Sequence, residues 1–433
     1  MIAHLSAQRF SSMGLSRWLC VGALAGLAAC SPSEAQLQPR GSSPQDIAEA
    51  YHPNYVPTAA ARSECLGRLV FEVAPASSFE WGLPREGTDH EILGFSRLLR
   101  GDQDGIQLGN VAVLVFDRAN LRSIQELQRM RGVYKSIAMQ DFDENIRRKR
   151  SLAQSQAELM VRPDYRDDPS QVAGFKQDIE DLDKEVKELL ARKQNLDKDW
   201  HPTDWSLPDS TGYIAGPTLY AFLLRGGYAF QFMSTGGEGE PPFEQRVAAF
   251  KDLLSRFEPR SLYQVPNKAG VCIPHGFIAD DGKGPFNADV SFRYADSPGV
   301  IYTLSTGVVG ERNYEPNDPL IEATARATVS AVIGNSYGRK LKVLGPKPAK
   351  IGARGGLLGG ISTAEGAPGY SVYAGVGGVP GSQVLPHISL NMRSFDKQTA
   401  PDDVKVDPPP FEQSLQRFEQ TLSSARTRRA DTQ

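Results

Sequence analysis

The sequence of 433 residues has little excess charge, few cysteines and no long hydrophobic run. Its formal net charge is −3, with 48 Lys and Arg against 51 Asp and Glu, which excludes a broad nucleic-acid-binding surface. The longest apolar run, Trp18 to Ala29, is too short to span a bilayer, which excludes a polytopic membrane protein. The hydrophobic content of 40% and charged content of 23% are those of a globular chain, and the length predicts two or three domains.

The first thirty residues have the pattern of an export signal. Arg9 and Arg17 precede the apolar run, which ends in small residues. The run closes with Leu-Ala-Ala-Cys30, which matches the bacterial lipobox, where the peptidase cuts before an acylated cysteine. We therefore predict a signal peptide over residues 1–29 and lipidation of Cys30, which anchors the protein at the periplasmic face of a membrane. The alternative is an ordinary signal peptide that contains Cys30 by chance.

The residues after the lipobox refine this location. Ser31 stands where an aspartate would favour retention in the inner membrane, so the outer membrane is the better prediction. Met13 is an alternative start, since Met13 to Ala29 alone makes a compact lipoprotein signal. Residues 30–61 are rich in Ser, Pro, Gln and Ala without apolar periodicity, which predicts a flexible tether.

Cysteine usage leaves one candidate pair. Cys20 leaves with the signal and Cys30 is acylated, so Cys65 and Cys272 remain. In an oxidising periplasm an even pair indicates a disulfide. Two buried free thiols are the alternative.

Alternating and continuous apolar segments predict strands. Cys65 to Val73 alternates as a half-buried strand does, and Val111 to Phe116 predicts a more fully buried one. Thr218–Arg225 and Tyr228–Met233 flank Gly-Gly, which predicts a hairpin. The sequence of the second half predicts short strands and one helix from Asp318 to Gly334. The sequence thus predicts an α+β fold of antiparallel sheet with edge helices.

Residues of about 120–199 differ from the rest, being helical and dense in charge. The first arm, Leu121 to Val161, has apolar residues at less regular spacing, whereas the second arm has a single apolar seam. Pro163 and Pro169 bracket the turn between the two arms. The seam consists of Phe175, Ile179, Leu182, Val186 and Leu189, and the other set of Ile124, Leu127, Ile137, Ile146 and Leu152. We predict a projecting helical hairpin, whose charges form either a solvated face or a partner-binding arm.

An internal repeat predicts two related domains. Pro241-Pro-Phe-Glu-Gln245 recurs as Pro409-Pro-Phe-Glu-Gln413, and both copies continue with the same apolar helical spacing. We predict an N-terminal α+β domain over 62–262, which carries the helical insert, and a C-terminal α+β domain over 266–428. A chance match of five residues is the alternative.

The sequence shows no catalytic, cofactor-binding or metal-binding motif, so we predict a protein that is not an enzyme. The five histidines of the mature chain have no metal-ligand spacing. They are His52, His90, His201, His275 and His387. No Gly-x-Ser-x-Gly elbow occurs, and the glycine-rich stretch at 352–360 lacks the Lys-Ser/Thr of a phosphate loop. A hydrolase would need Ser or Asp to converge in space with His90, His201, His275 or His387.

Several short motifs together resemble a known family. They are the lipobox, Cys65-Leu-Gly-Arg-Leu-Val-Phe71, Arg256-Phe-Glu-Pro-Arg260, Val265-Pro266, Gly270-Val-Cys-Ile-Pro-His-Gly-Phe-Ile278 and Leu385-Pro-His-Ile-Ser-Leu390. In this order they resemble the two-domain periplasmic lipoprotein immunity proteins paired with type VI secretion phospholipase effectors. Asn267-Lys-Ala269 departs from the more acidic link of that family.

The resemblance implies a function in toxin neutralisation. The protein would bind a cognate lipase effector in the periplasm and inhibit it sterically, without a cofactor and without nucleic acid. The residues that contact the partner stay unknown at this point. The alternative function is a cell-envelope lipoprotein that binds another protein or peptidoglycan, with no toxin involved.

Overall fold

The computed structural model describes residues 43–83, 105–117, 119–236, 239–309, 341–363, 369–395, 397, 404 and 406–429. Its helices and antiparallel sheets confirm the predicted α+β class. The predicted signal peptide, Cys30, His90 and the predicted helix from Asp318 to Gly334 lie outside these residues. None of the helices in the described part is long and apolar enough to cross a membrane.

The first half of the chain combines short strands with a large helical segment. In chain order its elements are α1 (Pro44–Ala50), β1 (Arg62–Leu66), β2 (Leu69–Val73), β3 (Phe79–Trp81), β4 (Gly105–Leu108), β5 (Val111–Phe116), α2 (Leu121–Met160), α3 (Pro163–Arg166), α4 (Pro169–Gln194), α5 (Leu196–Asp199), β6 (Trp200–Thr203), β7 (Ser210–Ala215), β8 (Thr218–Arg225), β9 (Tyr228–Ser234), α6 (Phe243–Ser255) and β10 (Phe257–Pro259).

The second half, as far as the structure describes it, consists of strands followed by a helix. In chain order its elements are β11 (Gly270–Ile273), β12 (Gly276–Ala279), β13 (Phe286–Tyr294), β14 (Val300–Gly307), β15 (Leu341–Ile351), β16 (Arg354–Thr363), β17 (Ser371–Val376), β18 (His387–Ser394), α7 (Phe411–Ser424) and β19 (Arg426–Thr427).

Most of these strands belong to one antiparallel sheet that runs through both halves. Its order is β15-β16-β17-β18-β14-β13-β4-β5-β9-β8-β7-β6, and β3 pairs with β13 beside this path. The order is symmetric about the central β4–β13 pair, where Leu108 lies opposite Phe286. Strands β4 to β9 are thus arranged as β13 to β18 are. This symmetry supports the duplication that the repeated pentapeptide predicts.

The two copies of the repeat begin equivalent helices. Helix α6 starts at Phe243 and α7 at Phe411, each preceded by a proline with φ of −51° or −52°. Proline fits at the start of a helix because its missing N–H would have no partner there. Phe250 and Phe418, at the same position of the two helices, are 1% and 0% exposed and belong to the same hydrophobic core as the sheet. The shared apolar spacing therefore produces a shared packing.

The two halves exchange a hairpin. The β1–β2 hairpin of the first half pairs with β19, which follows α7, and the β11–β12 hairpin of the second half pairs with β10, which follows α6. The backbone N–H of Arg428 donates to the carbonyl of Arg68 at 2.8 Å, and that of Arg260 to the carbonyl of His275 at 3.0 Å. Each half therefore supplies one strand that pairs with a hairpin of the other half. The limits 62–262 and 266–428 for two domains stay a prediction.

Two predicted strands differ in the structure. Cys65 to Val73 is not one strand but the two strands of a hairpin, because Gly67 adopts a φ of +59° that reverses the chain. Val111 to Phe116 is not fully buried: its side chains alternate between buried and half-buried. One face lies in the core of the sheet, and the other lies under the first turns of α2, where Phe116 packs near Ile124.

The hairpin around Gly-Gly is confirmed. Arg225 pairs with Tyr228, and the two glycines between them have φ of +60° and +85°. Two consecutive residues with positive φ form a turn whose twist matches that of the paired strands, and glycine adopts this conformation at least cost.

Part of the segment for which we predict a flexible tether is folded. Ser43 caps α1 through a reciprocal pair of hydrogen bonds with Asp46, and α1 packs beside β16. The chain after α1 lies along the C-terminal end of the molecule, where the amide of Gln420 donates to the hydroxyl of Thr58 at 2.9 Å. The low hydrophobicity that indicates a tether is offset by these polar contacts, so residues 43–61 belong to the folded body.

Candidate partner-binding surface and the junction of the halves

Cys65 and Cys272 come together where the exchanged hairpins meet. Their Cα atoms are 5.8 Å apart and their sulfur atoms are joined in a disulfide. The backbones of Gly67 and Cys272 also exchange two hydrogen bonds of 2.8 Å. Both cysteines are fully buried and lie two residues before the turn of their hairpin. The pair therefore links equivalent positions of the two halves.

A buried ion pair lies beside the disulfide. Nη1 of Arg260 is 2.5 Å from Oε1 of Glu64, and the two side chains are 2% and 0% exposed. Nη2 of Arg260 donates to the carbonyls of Cys65 and Ile273 at 3.0 and 3.1 Å. Oε2 of Glu64 accepts from the backbone N–H of Tyr263 at 2.9 Å. Two charges can be held without water when their remaining donors and acceptors are satisfied in this way.

Arg428 holds the equivalent position in the second half. Its guanidinium donates to the carbonyls of Pro266 at 2.9 Å and Gly270 at 2.5 Å, and lies over the ring of Phe277. The β11–β12 hairpin has Val271 at the position that Glu64 holds in the β1–β2 hairpin. That position therefore offers Arg428 no carboxylate. Burial lowers the pKa of Arg428 to about 10, while the charge of Asp280 raises it. The junctions at Arg260 and Arg428 thus share the same backbone hydrogen bonding to a hairpin turn but differ in charge.

The ion pair of Arg260 and Glu64 was not expected from the sequence. A signal was present, since Arg260 and Arg428 both follow the first phenylalanine of their helix by 17 residues, from 243 to 260 and from 411 to 428. Extending the repeat beyond its apolar positions would have marked both arginines. Glu64 has no counterpart in the repeat and could not have been found in this way.

The described histidines lie in four separate places. The ring of His275, in the turn between β11 and β12, stacks on Tyr228 at 3.7 Å between centroids, and burial lowers its pKa to about 4. Burial also lowers the pKa of His387, at the start of β18, to about 4. His201 is exposed on β6, and His52 follows α1. Among the described residues no group of three or more His, Cys, Asp or Glu could hold a metal ion.

The helical insert forms an antiparallel arm. Lys149 of α2 pairs with Glu185 of α4, and Asp143 of α2 pairs with Lys193 of α4. All five residues of the predicted apolar seam are half-buried or buried. Asn120 and Asp168 accept backbone hydrogen bonds at the starts of the two helices. The arm is therefore held by one seam and by ion pairs across it.

The base of the arm packs on the sheet. Ile124 of α2 lies in a small hydrophobic cluster with Phe222 and Ala229. The guanidinium of Arg131 lies over the ring of Tyr220 at 4.4 Å and donates to the side chain of Gln231 at 3.1 Å. These contacts fix the direction in which the remaining part of α2 leaves the sheet.

Beyond its base, α2 exposes apolar side chains on its outward face. Val133, Ile137 and Leu152 are 43%, 44% and 49% exposed. Ile137 and Leu152 were expected among the apolar positions of the hairpin, but they point away from α4, because the seam takes only one side of α2 and uses Ile146. We call these three residues the outward face of the arm. It is a candidate surface for a protein partner, since apolar side chains are enriched at interface cores.

Comparison with known proteins gives matches at two levels. Among solved structures, the Tle4–Tli4 complex contains a chain with 14% identity over 87% of this chain and 100% of the matched one, at a TM-score of 0.49. The immunity protein TplEi of the type VI secretion system from Pseudomonas aeruginosa, complexed with "L" peptide, has 14% identity over 86% of this chain and 99% of its own, at a TM-score of 0.47. No protein of curated function matches the sequence.

The second match is to a family of domains. Residues 264–430 match the Tle cognate immunity protein 4 C-terminal domain. The matched range begins just before the β11–β12 hairpin and ends just after β19, so it contains Cys272 and Arg428. The family expected from the short motifs is thereby confirmed. Residues 264–430, the C-terminal part of the chain, are thus similar to the Tle cognate immunity protein 4 family.

Proposed function

We propose that this protein is an immunity protein that binds and sterically inhibits a type VI secretion phospholipase effector in the periplasm. The observation that carries the proposal is the match of residues 264–430 to the C-terminal domain of Tle cognate immunity protein 4. A protein of this kind acts by occupying a surface of its target, so it requires an interface and no active site. A stable complex of this sort buries roughly 1,200–2,000 Å² of surface.

The location is a further part of the proposal. Signal cleavage after residue 29 would leave Cys30 as an acylated N-terminus, with the outer membrane favoured by Ser31. Export would also let Cys65 and Cys272 form their disulfide in an oxidising compartment. The toxin acts on membrane phospholipid, so a membrane-bound inhibitor would meet it where damage begins.

We further propose that the outward face of the arm contributes to effector contact. Its support is the exposure of Val133, Ile137 and Leu152, three apolar side chains that are 43%, 44% and 49% exposed. Exposed apolar groups cost free energy in water and recover it when a partner covers them. The charged residues around them would then form the polar rim of the interface.

Co-expression tests the function. A phospholipase effector encoded beside this protein is directed to the periplasm of a bacterial host, with and without the full-length chain. We expect the effector alone to stop growth and the chain to restore it. A catalytically inactive effector should co-purify with the chain. Failure to restore growth despite good expression of the chain would contradict immunity and favour the cell-envelope alternative.

Matched variants of the arm test the contact. Ile137→Asp/Leu152→Asp removes two outward apolar side chains, whereas Gln140→Asp/Gln154→Asp adds the same charge at exposed polar positions of the same helix. We expect the first variant to weaken the complex by at least tenfold and the second to leave it nearly unchanged. Equal binding by both variants would remove the outward face from the interface without affecting the proposed function.

A further inference from the structure

The outermost strand of the second half carries exposed lysines on both of its faces, Lys342 and Lys347 on one and Lys350 on the other. Strand β15 forms one edge of the large sheet, and its Lys342, Lys347 and Lys350 are all exposed. Val343 beside them is 58% exposed. From residue 323 to residue 364 the sequence contains seven Lys and Arg and no Asp or Glu, although the whole chain is slightly acidic. We call these three lysines and Val343 the basic edge.

The basic edge has no ion pair among the described residues that would neutralise its lysines. Pro348, also exposed on this strand, cannot donate a backbone hydrogen bond, so the edge is a poor template for another strand. Its positive charge is therefore directed to solvent or to an anionic partner.

The first described residues of the chain, which begin at Ser43, lie beside this edge. Helix α1 packs against β16, the neighbour of β15. Burial lowers the pKa of His52, just after α1, and the charges of Arg426 and Lys350 lower it further, which places Lys350 close to this segment. These first described residues and the basic edge thus lie on the same side of the molecule.

The length of the remaining tether limits the distance to the membrane. Only residues 31–42 separate Cys30 from the cap of α1 at Ser43. At about 3.3–3.6 Å per extended residue, this segment reaches at most about 45 Å. An acylated Cys30 would therefore hold Ser43 within about 45 Å of the membrane surface.

We propose that the basic edge binds the anionic phospholipid headgroups of the membrane in which Cys30 is anchored. The proposal rests on the proposed lipid anchor and is independent of effector binding. Each Lys near an anionic bilayer strengthens binding about fivefold, and Val343 can enter the headgroup region. Acyl chains then fix the protein to the membrane, and the basic edge fixes its orientation, with the second half towards the lipid.

The experiment measures vesicle binding without the lipid anchor. Mature chain carrying Cys30→Ala is mixed with vesicles of phosphatidylethanolamine and phosphatidylglycerol, or with vesicles of phosphatidylcholine alone, and is separated by flotation. We expect binding to the anionic vesicles only, and its loss when salt is raised, because screening weakens charge contacts. Lys342→Gln/Lys347→Gln/Lys350→Gln should weaken it on the order of 100-fold.

A matched triple variant separates this edge from general charge. Arg147→Gln/Arg148→Gln/Arg150→Gln removes the same charge from exposed positions of the arm and should leave vesicle binding unchanged. The proposal is overturned by absence of binding to anionic vesicles, or by equal losses in the two variants. It is also overturned if the lysine variant binds vesicles as before but self-associates, since the lysines would then serve to protect a sheet edge.

Discussion

Arg260 and Glu64 form an ion pair enclosed between the two exchanged hairpins, and Arg260 contacts the backbone of both. Glu64→Gln would leave the guanidinium buried without its counter-charge. We expect a loss of about 3–5 kcal/mol in the free energy of unfolding. Asp252→Asn, which removes an exposed ion pair with Arg256, should cost less than about 1 kcal/mol. Urea unfolding of both variants measures the difference, and equal losses would show that Arg260 does not depend on Glu64.

The disulfide should contribute mainly through the length of the loop it closes. Cys65 and Cys272 are 207 residues apart in sequence. The chain-entropy relation then predicts that Cys65→Ser/Cys272→Ser lowers the free energy of unfolding by roughly 5 kcal/mol. Unfolding of the wild type with and without reductant checks this value. Alkylation of both cysteines in native, unreduced protein would contradict the bond.

Substitution of Gly67 by alanine should destabilise the protein far more than the same substitution at Gly109, a glycine of the same backbone conformation. Gly67 and Gly109 have φ of +59° and +60°, but a Cβ at Gly67 would meet the ring of Phe286, whereas a Cβ at Gly109 meets nothing within 4 Å. Gly109→Ala should cost about 1–2 kcal/mol from backbone conformation alone. Gly67→Ala should cost about 1–3 kcal/mol more, because Phe286 is held in the core. Thermal and urea unfolding of the two variants would reveal the gap, and similar values would refute the predicted clash.

Stability should fall on mild acidification because of His275. Burial, with a further effect of the Arg260 charge, lowers its pKa from 6.5 to about 4. Between these values the unfolded chain takes up a proton that the folded chain does not, so stability decreases as pH falls from 6.5 towards 4. The loss from pH 7 to pH 5 amounts to about 2 kcal/mol for this one residue.

His275→Asn tests this contribution, since asparagine tolerates the φ of +56° at this position. Between pH 7 and pH 5 the free energy of unfolding of this variant should fall by about 2 kcal/mol less than that of the wild type. This difference does not depend on the stability of the variant at pH 7. His201→Asn, at an exposed position, serves as the control. An unchanged pH dependence in His275→Asn would mean that the pKa of His275 is the same in the folded and the unfolded chain.

The two sides of the arm should respond differently to the same substitution. Val186 is 6% exposed in the seam between the helices. Val186→Asp would bury a carboxylate there, and we expect the arm to open locally while the sheet keeps its structure. Ile137→Asp, on the outward face, should leave the arm intact. Hydrogen exchange of α2 and α4 reports on both, and protection of α4 in Val186→Asp would disprove the assigned seam.

Local features of the fold were predictable from the sequence. The seam from Phe175 to Leu189 follows helical spacing, and Gly226-Gly227 defines a hairpin, because both signals act within a few residues. The repeat correctly located two helices that start at Phe243 and Phe411. Each of these features depends on neighbours in sequence.

Long-range features were not predictable. Nothing near Leu69 in sequence indicates that β2 pairs with β19 rather than with a strand of its own half. The direction of Ile137 was missed for a similar reason, since the side of α2 that faces α4 is decided by how its base packs on the sheet. The residues that contact an effector depend on the shape of the partner, which this chain does not encode.

The exchange of hairpins has a consequence for the order of folding. Residues 62–73 are among the first to emerge when a chain is synthesised from its N-terminus, yet β2 pairs with residues 426–427. The backbone N–H of Glu72 also donates to the hydroxyl of Ser424 at 2.8 Å. Contacts of such sequence separation form late. The first hairpin therefore cannot complete its sheet until the last residues of the chain are available.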